Sequence, residues 1–249
     1  MAPIRRGDGT GISSIRTGDG TGIAEVRKGD GTVLWSAEPA IPDSGVARWK
    51  FEQNVTDSWG DNDGSDNTSD GYSTNSAVGS YSKSLDGVDD YIDVSGEDYK
   101  NFSEFTITAW VYLAPSPNTP QAVYEVATDG PNGRIFIYYV GGGDGYRFTV
   151  GDGSNDINLF QGTDPATESW HHIGGVYVEN DRIELYFDGS SVASDSITTH
   201  ENSSTTEYIG SSPTFGNYWN GLLDDIRVYD KGLSATEMSN LYNTGSISG

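Results

Sequence analysis

The chain has 249 residues, no cysteine and a formal net charge of −23. Disulfides and thiolate metal sites are therefore excluded, and so acidic a surface repels phosphate backbones, which speaks against nucleic-acid binding. No run approaches the roughly 18 apolar residues of a membrane span, so membrane insertion is not expected. Aspartate outnumbers glutamate by 25 to 12 and arginine outnumbers lysine by 9 to 5. Two explanations of the acidity compete: calcium sites, or adaptation to molar salt, where charges are screened within about 3 Å. The acids are scattered over the whole chain, which favours salt adaptation. Acidic disorder is opposed by a 12% aromatic content set in alternating strand patterns.

In chain order, the first residues run Met1-Ala2-Pro3-Ile4-Arg5-Arg6 into Gly-Asp-Gly-Thr rather than into an apolar stretch, so no secretory signal is expected there. Residues 4–36 hold three copies of an 11-residue unit, beginning at Ile4, Ile15 and Val26 and sharing the Gly-Asp-Gly-Thr core. Each copy pairs a short β-prone piece with a tight Asp-Gly turn. Three such units are too small to fold alone, so they are expected to anchor the chain on another copy of itself or another protein, or to pack on the main domain. Arg6-Gly7-Asp8 matches an integrin tripeptide, but Thr17 and Lys28 replace the arginine in the other copies. Residues 37–44, with two prolines, read as a linker.

From residue 45 onward, strand patterns recur between polar turns. Val46–Phe51 comes first, followed by a loop of about 30 residues rich in Asp, Asn, Ser and Gly. Strands are then predicted at 81–85, 91–94, 105–111, 122–127, 134–139, 145–150, 157–160, 170–178, 182–188, 192–197, 206–210 and 219–229. Ser234 and Glu237 form a capping-box pattern that opens a helix running to about Tyr242. The expected fold class is all-β, two packed antiparallel sheets of roughly 12 to 14 strands with a short C-terminal helix. The domain reading is 1–36 repeat segment, 37–44 linker and 45–249 sandwich.

Several pieces, in order, resemble one family. They are Ser84 to Ile92, Phe105 to Val111, Trp170 to Tyr177, Leu185 to Gly189, Gly221 to Tyr229 and Leu233 to Met238. Together residues 45–245 resemble the laminin-G-like, concanavalin-A-like lectin and glucanase jelly rolls. The repeats resemble those of phage and archaeal-virus structural proteins. The family hosts lectins, adhesion modules, hydrolases and structural pieces, so fold alone does not assign function.

The resemblance implies one structural calcium between the loop after the first strand and the last strand. The candidate ligands are Asp57, Asp61, Asp63, Asp224 and Asp225. The competing reading is solvated acids, with Arg227 as the rival partner of the last pair. Glu179 and Glu184 match a Glu-x-Asp-x-x-Glu hydrolase pattern, but Asn180-Asp181 reads as a turn that would splay them. His171, His172 and His200 lack a nucleophile pattern, and no catalytic residue is assigned. Glycan stacking is assigned to Trp59, Tyr139, Tyr146, Tyr218 and Trp219, aromatics beside polar loops.

The function expected from these features is a non-enzymatic virion structural protein of a haloarchaeal virus, a capsid decoration, turret or tail fibre. It would form a homo-oligomer through its repeats, contact other virion proteins and display a lectin-like domain to host surface glycans. Its expected location is the virion or the extracellular space. The alternative is a carbohydrate-binding module of a secreted or cell-surface halophile protein.

Overall fold

A computed structural model describes residues 12–17, 23–28, 33–36, 41–94, 96, 102–117, 120–127, 134–201, 206–211 and 216–245. The chain divides into two compact units, Met1–Ile41 and Pro42–Gly249. In the first, β1 (Ile12–Thr17), β2 (Ile23–Lys28) and β3 (Val33–Ser36) form an antiparallel meander in chain order. The Gly-Asp-Gly-Thr cores at 7–10, 18–21 and 29–32 lie outside the described residues.

The second unit is mostly strand, two antiparallel sheets packed as a jelly-roll-like sandwich. Its fifteen strands are β4 (Ala47–Trp49), β5 (Ser65–Asn67), β6 (Tyr72–Ser73), β7 (Ser82–Asp86), β8 (Tyr91–Asp93), β9 (Glu104–Leu113), β10 (Gln121–Ala127), β11 (Ile135–Tyr139), β12 (Tyr146–Gly151), β13 (Asp156–Phe160), β14 (Trp170–Val178), β15 (Arg182–Phe187), β16 (Ser190–Asp195), β17 (Thr206–Ile209) and β18 (Asn220–Tyr229). A helix, α1 (Ala235–Gly245), ends the described chain. The seven-stranded sheet has the order β13-β12-β11-β10-β17-β8-β5. The eight-stranded sheet runs β16-β15-β14-β9-β18-β7-β6, with β4 also paired to β18. No helix among the described residues is long and apolar enough to cross a membrane.

The expected strands recur within a few residues, with one difference. The long loop after β4 contains β5 and β6. β5 is exposed throughout, and both strands lie at sheet edges, so no buried alternation announces them.

Alternation builds the core. Phe105, Ile107, Ala109, Val111 and Leu113 of β9 face Tyr124, Val126, Ile137, Tyr146 and Phe148 of the other sheet in one apolar cluster. Two glycines of β14 set how closely its neighbours approach. A Cβ on Gly175 would stand 2.5 Å from the Phe148 ring, which arrives from the opposite sheet. A Cβ on Gly174 would meet Met238 of α1, so this position faces outward beneath the helix. The helix begins as its sequence demands. Ser234 N donates to Glu237 Oε2 at 2.8 Å, and Glu237 N donates to Ser234 Oγ at 3.3 Å. Met238 and Leu241 are buried, and Tyr242 stacks on Trp110 of β9.

Candidate functional site

The outer faces of the two sheets differ. On the eight-stranded sheet, α1 covers Trp110, and His172 lies against the same indole at 5.2 Å. On the seven-stranded sheet, register brings one row of side chains together across strands. Glu125 stands opposite both Tyr208 and Phe136, Phe136 opposite Thr149, and Thr149 opposite Asn158. In the next row Tyr138 faces Arg147, which faces Phe160. Directly opposed residues share a face, so these are outward positions.

A pocket of about 160 Å³ opens here, lined by Pro120, Glu125, Arg134, Phe136, Tyr138, Arg147 and Asn217. Asn217 reaches it because its carbonyl accepts from Ala122 N at 3.1 Å, tying the segment before β18 to β10. Tyr138 donates its hydroxyl to the buried carboxylate of Glu125. The Arg147 guanidinium lies over Phe136 at 4.6 Å and Tyr138 at 5.7 Å. Burial lowers the Arg147 pKa, and the negative groups around it act the other way. Phe136, Tyr138 and Glu125 are themselves buried, so what the pocket presents is the half-buried Arg147 guanidinium lying over two covered rings.

Most of these residues escaped the sequence reading. Arg134, Arg147, Glu125 and Asn217 are isolated polar residues in the sequence. Only strand register joins them. A usable signal existed in β12, where Tyr146, Phe148 and Val150 alternate with Arg147 and Thr149, placing the latter outward.

The expected glycan platforms separate. Tyr146 and Trp219 are wholly buried and belong to the core, stacked 6.5 Å apart, so they are corrected to structural residues. Tyr139 is also buried, paired with Tyr146 on the inward side of β11 and β12. Adjacency to polar loops misled here, because strand periodicity outranks loop proximity. Trp59 and Tyr218 are half-buried. Trp59 packs on Tyr229 at 5.1 Å, with the Arg48 and Arg227 guanidinium groups 5.8 and 5.9 Å from its ring. Neither of these two residues lines the pocket.

The five expected calcium ligands do not converge either. Asp57 is occupied by backbone amides of its own hairpin, Arg48 N and Trp59 N at 2.9 Å and Asn62 N at 3.2 Å. Asp63 accepts from Asp57 N, and Asp61 is exposed. Asp225 is neutralised by Arg48 at 2.6 Å and Arg227 at 2.5 Å. Desolvation opposes its ionisation, but the two guanidinium groups win and hold its pKa below the usual range. Asp224 differs. Its Oδ2 accepts from Ala77 N and Val78 N, each at 2.9 Å, while its buried Oδ1 has no partner. Burial pushes this carboxyl up to about 8. Glu52 braces the same loop through Ser80 N at 2.7 Å. Of the five, Asp224 leaves a buried oxygen without a partner, but it joins no group of three possible ligands among the described residues. Among the described residues, three carboxylates meet within 4.8 Å at Asp86, Asp89 and Asp90. There Asp90 is already engaged by Ser69 N and Asp86 N.

Two arrangements of side chains have the composition of a catalytic site. Glu179 and Glu184 flank a tight turn in which Asn180 adopts φ 56°, as expected, and Glu184 is held by Arg182 and Ser191. A second arrangement was not foreseen. Ser169 Oγ lies 3.3 Å from His171 Nε2, and His171 Nδ1 lies 2.9 Å from Asp188 Oδ2. This is the order of a nucleophilic relay. However, Ala166 O stands 3.2 Å from both His171 Nε2 and Ser169 Oγ. The Ser169 hydroxyl donates to that backbone carbonyl, so its proton is not committed to the ring. Asp188 also accepts from His172 N at 2.9 Å, so these bonds lock the start of β14 onto the β15–β16 turn.

The model of the concanavalin A-like lectin/glucanases superfamily, Laminin_G_3, matches residues 86–239. The chain belongs to this superfamily. The adhesion G-protein coupled receptor V1 of Danio rerio is 29% identical over 161 residues, 57% of this chain but only 2% of the receptor. Domain 4 of AbnA, a GH43 extracellular arabinanase from Geobacillus stearothermophilus, superposes with a TM-score of 0.63 at 18% identity, covering 80% of this chain and 98% of that one. The binding domain of Paraclostridial Mosquitocidal Protein 1 superposes with a TM-score of 0.66 at 16% identity, over 82% of this chain and 53% of that one. A botulinum neurotoxin type C structure gives 0.63 at 13% identity, over 82% and 52%. At such identities the likeness is one of fold.

Proposed function

We propose that this chain is a non-enzymatic adhesion protein whose lectin-like sandwich binds carbohydrate on the outer face of the seven-stranded sheet. The pocket between Phe136, Tyr138, Arg147, Glu125 and Asn217 carries this reading. Guanidinium and amide groups donate to sugar hydroxyls and carboxylate and amide oxygens accept from them, while the buried Phe136 and Tyr138 rings set the position of the guanidinium. Structural neighbours lend support. Domain 4 of AbnA was solved with arabinotriose, and cell entry of botulinum neurotoxin type C depends on interaction with two ganglioside molecules. Titration calorimetry in about 2 M salt, where surface charge is screened, is the test. Oligosaccharide binding that Phe136→Ala and Tyr138→Ala abolish supports the assignment. Absence of binding across neutral and acidic oligosaccharides overturns it.

The finer reading places the chain on a haloarchaeal virion, as a capsid decoration, turret or tail fibre that meets host surface glycans. The 11-residue repeats and the acidic composition support it. Its homo-oligomer is tested by light scattering of the full chain against one lacking residues 1–38, which should fall to a monomer. A virion proteome without this chain defeats the placement. The alternative, a carbohydrate-binding module of a larger secreted or cell-surface protein, is favoured by the near-complete overlap with one domain of an arabinanase. A coding sequence continuing past either end would select it.

Calcium is proposed at Asp224 alone among the expected ligands, where it would neutralise a buried carboxylate. Added calcium should raise the Tm of the parent chain and leave Asp224→Asn unmoved.

A further inference from the structure

We infer that the pocket on the seven-stranded sheet is specific for an acidic sugar, one bearing a carboxylate or sulfate that pairs with the Arg147 guanidinium. The inference rests on the carbohydrate-binding reading and adds the ligand's charge to it.

Arg147 differs from five other described cations. Arg48 and Arg227 share Asp225, Arg182 bonds Asp181 and Glu184, Lys83 pairs with Asp66, and Lys231 pairs with Glu237. Arg147 takes part in none of the ion pairs among the described residues. Its Nε is buried without a hydrogen-bond partner. In a chain with 37 acidic and 14 basic residues, a guanidinium that has found no carboxylate is an exception needing a cause.

The surroundings supply one. Phe136 and Tyr138 hold the guanidinium plane from one side, which fixes the direction of its donors. Arg134 lines the same pocket and adds a second positive charge. Glu125 also lines it, but its Oε2 is taken by the Tyr138 hydroxyl. Asp156, one strand away, is felt by both arginines without forming an ion pair with Arg147. The terminal nitrogens of a half-buried guanidinium without an internal carboxylate are completed by an external anion, and two oxygens of a carboxylate or a sulfate match them in two hydrogen bonds.

The pocket's size limits what enters. At about 160 Å³ it is smaller than the roughly 300–1,000 Å³ of a pocket that encloses a whole drug-sized ligand. It therefore receives one substituent or one sugar ring, and the rest of a glycan lies along the outward rows. The first row includes Tyr208 and Asn158, and the next row ends at the exposed Phe160. The chain's overall negative charge repels polyanions at a distance, so selectivity for an acidic sugar must come from this local pairing and persist in high salt.

The test uses the full chain in about 2 M salt and four probes: tri-galacturonate, its methyl ester, galactotriose and a sulfated galactotriose. Tri-galacturonate or the sulfated trimer should bind at least tenfold more tightly than its uncharged counterpart. The pair of acids separates a carboxylate from a sulfate specificity. Arg147→Met should abolish that preference, and Arg147→Lys should keep only part of it because an ammonium cannot form the two-pronged contact. Unchanged circular dichroism and Tm of the lysine variant would exclude misfolding as the cause. Equal binding of charged and neutral trimers leaves carbohydrate recognition standing and overturns the acidic specificity. A preference for neutral trimers, or an acid preference that survives Arg147→Met, overturns it as well. Binding of none of the four overturns both readings.

Discussion

The two outer faces of this sandwich bury polar groups in opposite ways. The eight-stranded face is closed by α1 and by the loop around Ala77, and its titratable groups beside Trp110 are held neutral. His172 is pushed down to about 4 by burial and the nearby Arg227, and Asp224 up to about 8 by burial. The seven-stranded face keeps a cation, Arg147, over two aromatic rings beside an open pocket. On the closed face an unpaired group loses its charge, because desolvating an unpaired ion costs more than shifting its proton, whereas Asp225 keeps its charge between two guanidinium groups. A surface that waits for a ligand retains charge, because the ligand completes the pairing. The first face therefore serves stability, and the second is where the proposed ligand binds.

The largest effect should come from opening the closed face. Met238→Ala removes a fully buried side chain between α1 and β14. It should cost about 2–5 kcal/mol in urea unfolding while the folded protein binds sugar as before. Loss of binding at unchanged fold would blur the division between faces. Gly175→Ala comes next, at about 1–3 kcal/mol, because its Cβ strikes the Phe148 ring inside the core. Gly174→Ala should cost less than Gly175→Ala, since only the flexible end of Met238 must move. Equal losses from the two neighbours would refute the assignment of their faces.

The neutralised pair gives the closed face a pH signature. His172 is depressed, so the unfolded chain takes its proton first as pH falls, and stability drops from about 6.5 toward about 4. Asp224 is raised, so the unfolded chain releases its proton first as pH rises, and stability drops from 3.8 toward about 8. The two slopes oppose one another below about 6.5, and only the Asp224 slope remains above it. Melting curves in a chelator should show that decline above about 6.5 disappear in Asp224→Asn. A decline retained in this variant would assign it elsewhere. The smallest effect is expected at the helix start. Ser234→Ala loses one half of the capping box, worth about 1 kcal/mol in chemical denaturation, with binding unaffected.

Local patterns in the chain were legible wherever one face of a strand is buried. β9 announces itself by alternation, β14 and β18 by apolar and aromatic runs, and Ser234 with Glu237 announces α1. β5 and β6 did not, since short edge strands carry no buried period. The candidate site was less legible. Tyr146 and Trp219 sit beside polar loops in the sequence, yet their strands turn them inward. Asp224 and Asp225 are adjacent and chemically identical, yet one meets two backbone amides and the other two guanidinium groups. The left-handed backbone of Asp225, at φ 43°, belongs to the β18 irregularity that separates them.

By itself, the sequence determined the sandwich, the capped helix and the acidic surface, because hydrophobic period, capping and net charge are properties of neighbouring residues or of their sum. Only the tertiary structure decided which carboxylate is neutral, which arginine lacks a partner and which aromatics line a pocket. Those properties depend on burial and on distances of a few ångströms between strands far apart in the chain, where desolvation and pairing are set.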